Sequence, residues 1–196
     1  SPQNPNGSPP NQNQNPAQQN SRQNQNPTQN PPGRQPAENE NDQDFELRAR
    51  LVLGDGRTLS GKIRLRAPER FTIRHTRQGL QYNKPVQMRD IRAIEMIKWS
   101  GKELRQNRSG SVYEFDVSEF KITFADNTSV VVSGELFTFF KSFSFENSNG
   151  RVTLYTYWMD LLQKDGQWYT GLDGPASRRT ACHKDAVKKI SFTTED

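Results

Sequence analysis

Cys182 and His183 are the only adjacent thiol and imidazole in a chain that holds one cysteine and two histidines. A nucleophilic cysteine needs a base facing its sulfur and positive surroundings that favour the thiolate. Arg178, Arg179 and Lys184 supply charge nearby. Neighbours on an extended strand point to opposite faces, however, so His183 is aimed away from the sulfur unless the loop bends. The expectation is a loop cysteine without a catalytic role. His75, His183 and Cys182 lack metal-ligand spacing, so neither a metal nor a cofactor is expected. Paired carboxylates would be sought at Asp160, Asp165 and Asp173, close in sequence to Trp158 and Trp168, yet turn positions explain these acids equally well. No constellation specifies a reaction, and the chain reads as non-enzymatic.

What the sequence does concentrate is positive charge and aromatic area. Arg64, Arg66, Arg70 and Arg74 belong to a basic stretch over residues 45–77, where only Glu46, Asp55 and Glu69 oppose nine cations. Such a field attracts anions. Arg66-Ala-Pro-Glu-Arg70 has the Arg-x-x-x-Arg form of PilZ domains, which bind a cyclic dinucleotide. Val132 stands where the second motif of that family, approached by Asn127-Thr-Ser129, needs glycine, so that ligand is not expected. Trp158 and Trp168 flank an expected hairpin around Lys164-Asp165-Gly166-Gln167. They are read as the apolar anchor of a partner contact, and the four arginines as its charged part.

These residues need a scaffold, and the chain divides sharply. Residues 1–44 contain 11 Asn, 10 Gln and 9 Pro, while all 19 aromatic residues lie from Phe45 onward. A segment without aromatic or large aliphatic side chains does not offset the entropy of ordering, so 1–44 is expected to be a disordered tail or assembly arm. As a coil it spans about 36 Å. Arg22 and Arg34 face Glu38, Glu40, Asp42 and Asp44 there, so residues 45–196 carry all of the net +5 and two charges more. The chain starts at Ser rather than Met and has no long apolar run. We expect a periplasmic or secreted protein freed of a signal peptide, without a transmembrane segment.

From Phe45 the apolar period is two. Phe45, Leu47, Ala49, Leu51 and Leu53 alternate with polar residues, and Gly54-Asp55-Gly56 supplies a tight turn. The order strand, Asp-turn, Ser-Gly-strand then recurs: Ile122-Thr-Phe124, Asp126-Asn127 and Ser133-Gly134 match Leu51-Val-Leu53, Asp55-Gly56 and Ser60-Gly61. Phe143-Ser-Phe145 matches Phe71-Thr-Ile73, and Asp185 to Ile190 matches Asp90 to Ile94. An internal duplication is expected. It gives an all-β protein of small antiparallel barrel or sandwich units in two similar halves, a basic unit at 45–111 and an aromatic-rich unit at 112–196 with an inserted hairpin. Short helical turns are expected only at 136–142 or 184–190.

The turn–strand–Ser-Gly–strand order of residues 51–63, with Asp55-Gly56, Gly61 and Asp90-Ile91, resembles small SH3-like and Sm-like barrels, a local resemblance that bears on fold. In overall style, an Asn/Gln/Pro leader before a basic strand-rich body with a late lone Cys182, the chain resembles exported envelope proteins of spirochaetes. That resemblance implies a non-enzymatic structural or assembly protein docking on a polymeric envelope structure. Its most specific form is an accessory of the periplasmic flagellar filament sheath, with other envelope or filament proteins as partners. Two alternatives remain: a module for an anionic glycan such as peptidoglycan, and an Sm-like nucleic-acid binder. The acidic end of the tail speaks against nucleic acid.

Overall fold

A computed structural model describes residues 41–194. The expectation of a disordered tail falls outside them up to residue 40. The first strand, β1, runs Asp42–Leu53 and so begins inside the segment assigned to the tail. It is followed by β2 (Thr58–Pro68), β3 (Arg70–Arg77), β4 (Leu80–Gln87), a 3-10 turn (Met88–Asp90), β5 (Ile91–Asn107), β6 (Gly110–Phe124) and β7 (Ser129–Ser133). The short helix α1 (Thr138–Lys141) leads into β8 (Ser142–Asn147), β9 (Gly150–Tyr155), β10 (Trp158–Gln163) and β11 (Val187–Phe192). Of the two expected helical turns, the first forms. Residues 187–190 belong to a strand instead, because Val187 and Ile190 both enter the core.

The protein is all-β and antiparallel. One sheet has the order β10-β6-β5-β11-β1-β2-β8-β9, with β7 added on β6, while β3 and β4 form a separate ribbon. Period-two alternation does what it predicts: Phe45, Ala49, Leu51 and Leu53 of β1 point inward, and Glu46, Arg48 and Arg50 point out. The arrangement is sandwich-like rather than a closed barrel. Among the described residues β7 lies beside β3 without joining it in a ladder, and β9 pairs only with β8.

The duplication is visible in the turns. Leu53 N–H donates to the Arg57 carbonyl (2.9 Å) and Gly56 N–H to that of Leu53 (2.9 Å); Phe124 and Asn127 do the same toward Thr128 (2.8 Å) and Phe124 (2.9 Å). Asp55 caps its turn by accepting from Arg57 N–H at 3.0 Å, and Asp126 by accepting from Thr128 N–H at 3.0 Å. Gly56 and Asn127, at the same place, both have positive φ (91° and 66°).

The partners of these turns are exchanged, however. Gly54 N–H, after β1, bonds to the Ala186 carbonyl before β11; Ala125 N–H, after β6, bonds to the Asp90 carbonyl before β5 (both 2.8 Å). Ala186, not Asp185, therefore stands where Asp90 stands. β1 and β2 are completed by β8, β9 and β11 from the second repeat, whereas β6 and β7 have β5, β3 and β4 of the first beside them. The segments 45–111 and 112–196, expected as separate units, are thus interleaved around one buried apolar cluster. The inserted hairpin appears as β10 and its return at Trp168. β10 pairs with β6, and a bridge joins Leu162 to Trp168.

Candidate docking surface

Arg64 and Arg66 alternate outward along β2, and Arg70 and Arg74 do so along β3, so all four side chains face solvent. Their surroundings differ. On the outer face of the β1–β2 pair, cations stand opposite acids: Glu46 opposite Arg64 and Asp44 opposite Arg66. Arg64 Nε is 3.4 Å from Glu46, and its Nη2 is 3.6 Å from Glu146 on β8. Arg66 Nη1 is 3.4 Å from Asp44, and Lys62 Nζ is 3.0 Å from Glu46. The Lys62 hydrogen bond, with the Arg64 charge behind it, lowers the Glu46 pKa below the ordinary carboxylate value. This ladder is partly neutralised and borders a shallow cleft of about 620 Å³ lined by Arg48, Arg50, Lys62, Arg64 and Glu146.

Gly61 makes the β2–β8 contact possible. A Cβ there would lie 2.2 Å from the Glu146 carbonyl oxygen and 2.8 Å from the Phe145 ring.

The β3–β4 ribbon is different. From Arg70 to Gln87 it holds four cations and no acid. Arg70 pairs in register with Gln87 and Arg74 with Asn83. Among the described residues neither arginine has a carboxylate within ion-pair distance. The turn Arg77-Gln78-Gly79-Leu80 has positive φ at both central residues (53° and 78°), the geometry that suits tight hairpins. On the opposite face, Phe71, Ile73 and Val86 pack toward the core. Beyond them His75 stacks on Tyr82 with ring centroids 5.5 Å apart, and Leu80 is 60% exposed. Lys84 is held over the Phe124 ring at 5.2 Å.

The tryptophans do not join this surface. Trp158 and Trp168 are 3% and 9% exposed, which removes them as anchors of an external contact. Trp158 stacks on Phe115 (4.9 Å), and Trp168 meets Phe115 and Tyr113 edge-on. Phe115, on which both tryptophans pack, encloses a buried cation together with Trp168. The Arg179 guanidinium sits 4.3 Å from the Phe115 centroid and 4.3 Å from that of Trp168, a buried cation–π pairing. Its Nε donates to the Pro175 carbonyl (3.2 Å) and its Nη2 to that of Gly174 (3.3 Å). Burial lowers the Arg179 pKa from its ordinary value, opposed by the charges of Asp160 and Asp173. Paired backbone bonds of 2.8 Å between Arg179 and Trp99 fasten this strap to β5. In sequence Arg179 is grouped with its exposed neighbour Arg178 as charge near Cys182, and nothing there marks it as buried against rings.

Asp160, Asp165, Cys182 and His183 are each accounted for locally, while Asp173 acts as a charge near Arg179. The Asp160 carboxylate accepts from Leu161 N–H (2.9 Å), Thr170 N–H (3.1 Å) and the Thr170 hydroxyl, which pins the loop after Trp168. Asp165 accepts from Gln167 N–H (2.9 Å) inside its turn. Cys182 is 7% exposed, and burial pushes its thiol up to about 11, the opposite of what a nucleophile needs. His183 Nδ1 accepts from Asp185 N–H (3.1 Å), so the ring caps the turn before β11.

Comparison with protein families, with curated proteins and with solved structures finds no match to this chain.

Proposed function

We propose that this protein is a non-enzymatic docking and assembly component that engages an acidic partner through the basic outer surface of its first strands. The observation that carries this reading is the contrast within the four arginines. Arg64 and Arg66 are partly balanced by Glu46, Glu146 and Asp44, whereas Arg70 and Arg74 project from a ribbon that contains no acid. An unbalanced, exposed cationic face steers association with an anionic surface and sets its salt dependence.

The polymeric envelope partner, with a flagellar filament sheath in the periplasm as its most specific form, is proposed on the composition of residues 1–44 and the basic strand-rich body behind them. The glycan alternative relied on exposed tryptophans, and Trp158 and Trp168 are enclosed.

Crosslinked pull-down of the native protein from an envelope extract, with proteomic identification, tests the proposal. A stoichiometric set of filament or sheath subunits is the expected result. Recovery with peptidoglycan or nucleic acid alone would overturn it.

A further inference from the structure

We infer that the β3–β4 ribbon is the docking element itself, and that its partner is an extended acidic protein segment carrying apolar side chains among its carboxylates. The inference rests on the docking reading and makes its partner specific.

The pseudo-duplication provides a measure of what the fold requires of this ribbon. β8–β9 holds the matching position on β2, and it turns at Asn147 and Gly150 four residues after entering the core at Phe143. β3–β4 enters at Phe71 and turns at Arg77 and Leu80, two residue pairs further out. The extra length carries Arg77 and the exposed Leu80. Closing the apolar cluster does not account for it.

Charge separates the two hairpins as well. β8–β9 carries a Glu146–Arg151 pair at 3.2 Å and is internally balanced. The β3–β4 ribbon has Arg70 and Arg74 on its outer face and Arg77 at its tip, without a counter-charge inside the ribbon. An acidic partner supplies what is missing.

Apolar exposure decides between kinds of acidic partner. Leu80 is 60% exposed and Tyr82 44%, and both lie on the ribbon face opposite Arg74. Leu80 stands directly opposite Arg77 at the tip, and an aliphatic side chain beside that arginine gains from an apolar group on a partner that wraps the tip, which phosphate and sulfate groups lack. A base or sugar ring would want a free aromatic face for stacking, and His75 already lies on one face of Tyr82, 21° from coplanar. A peptide of mixed acidic and apolar character uses both features.

The test measures binding of the full chain to two probes at near-physiological salt: polyglutamate, and a random glutamate–tyrosine copolymer. Heparin and poly-dT serve as comparison polyanions. The copolymer is expected to bind about five-fold tighter than polyglutamate, and Arg70→Glu with Arg74→Glu to weaken both by about tenfold. Leu80→Ser with Tyr82→Ser should remove the copolymer's advantage and leave polyglutamate binding in place. Arg64→Glu with Arg66→Glu should change either by less than about two-fold, since those arginines already face acids. All six substituted positions are exposed, and unchanged melting curves establish that the variants fold. Equal binding of polyglutamate, copolymer, heparin and poly-dT would overturn the inference, as would no binding of the copolymer, or a loss confined to the Arg64 and Arg66 variant. If the Arg70 and Arg74 variant still captured the full set of envelope subunits, the assembly reading would stand and the ribbon would be excluded as its docking element.

Discussion

Ile94 of β5 and Ile190 of β11 lie directly opposite each other in the sheet, and both are completely buried. They are the same residue of the two repeats: Ile94 faces Ile122 on β6 as Ile190 faces Leu51 on β1. The flanking pairs, Ala93 with Ser191 and Glu95 with Lys189, exchange under the same relation. A pseudo-twofold axis therefore passes between these two isoleucines, and it is here that the exchanged halves are stitched together.

Ile94→Ala and Ile190→Ala should each cost about 2–5 kcal/mol, the range for large-to-small changes in a packed core, and by similar amounts. Because the residues are cross-strand neighbours, the double variant should fall short of the sum. Chemical denaturation of the four proteins is the measurement. A near-neutral effect at one site would show that the two environments are not equivalent.

Cys182 should resist thiol reagents in the native protein at pH 8 and react at once in denaturant. Its folded value is raised from near 9 to about 11, so the buried thiol adds stability below pH 9 that is lost as pH rises toward 11. The shift corresponds to roughly 2–3 kcal/mol. Comparing melting temperature against pH for the protein and Cys182→Ala isolates this from other groups; identical alkaline limbs would refute it.

On the acid side, Asp55 and Asp126 are both held below the ordinary carboxylate value. The backbone N–H of Arg57 does most for Asp55, and the Thr128 hydroxyl does most for Asp126. Groups with lowered folded values stabilise above the unfolded pKa, near 4, and that contribution fades as pH falls below it. Asp55→Asn and Asp126→Asn keep an oxygen for the turn but do not titrate. Each should flatten the decline of melting temperature below pH 4, and a decline of unchanged steepness would count against this role.

Gly61→Ala places a methyl group against the Glu146 carbonyl and the Phe145 ring. Since backbone is the obstacle, β2 and β8 must separate, at a cost of about 3 kcal/mol or more. Gly56→Ala, where the Cβ meets nothing but φ is positive, should cost only about 1 kcal/mol. Equal losses at the two sites would contradict the close-approach explanation.

Arg179→Ala should release the strap over Phe115 and Trp168, with faster hydrogen exchange at Trp99 and Gly101, whose N–H groups bond to it. Arg179→Met fills the same slot without a charge to desolvate and should retain most of that protection. If both variants exchange alike, the aromatic sandwich is not what holds the strap.

Much of the strand layout was legible, because alternation such as Phe45, Ala49, Leu51 and Leu53 follows from one face being wet. The two Asp turns were legible for a local reason as well: aspartate followed directly by Gly56 or Asn127 closes a turn without help from elsewhere. Which strand lies beside which was not legible. Leu51 and Ile122 are near-identical in context, and only the packed molecule decides whether Ile190 or Ile94 completes each. Trp158 and Trp168 misled for a related reason. Trp158 stacks on Phe115, 43 residues earlier, and Trp168 meets Arg179, eleven residues on; a cation buried against rings looks in sequence like any surface arginine. At the candidate surface, the four arginines were found, but their division was not, because Glu146 reaches Arg64 only across the β2–β8 pairing. The absence of acids from Arg70 to Gln87 was the signal that would have singled out the ribbon.

Interleaving also sets a timetable. β1 and β2 leave the ribosome first, yet β8, β9 and β11 that complete them are made last, and β11 ends only at Phe192. A nascent chain stopped after the first repeat has β3 and β4 in hand but neither β6 nor β7 to receive them. Native pairing therefore waits until synthesis has passed β11, and its long sequence separations predict slow, all-or-none acquisition of structure rather than half-by-half maturation.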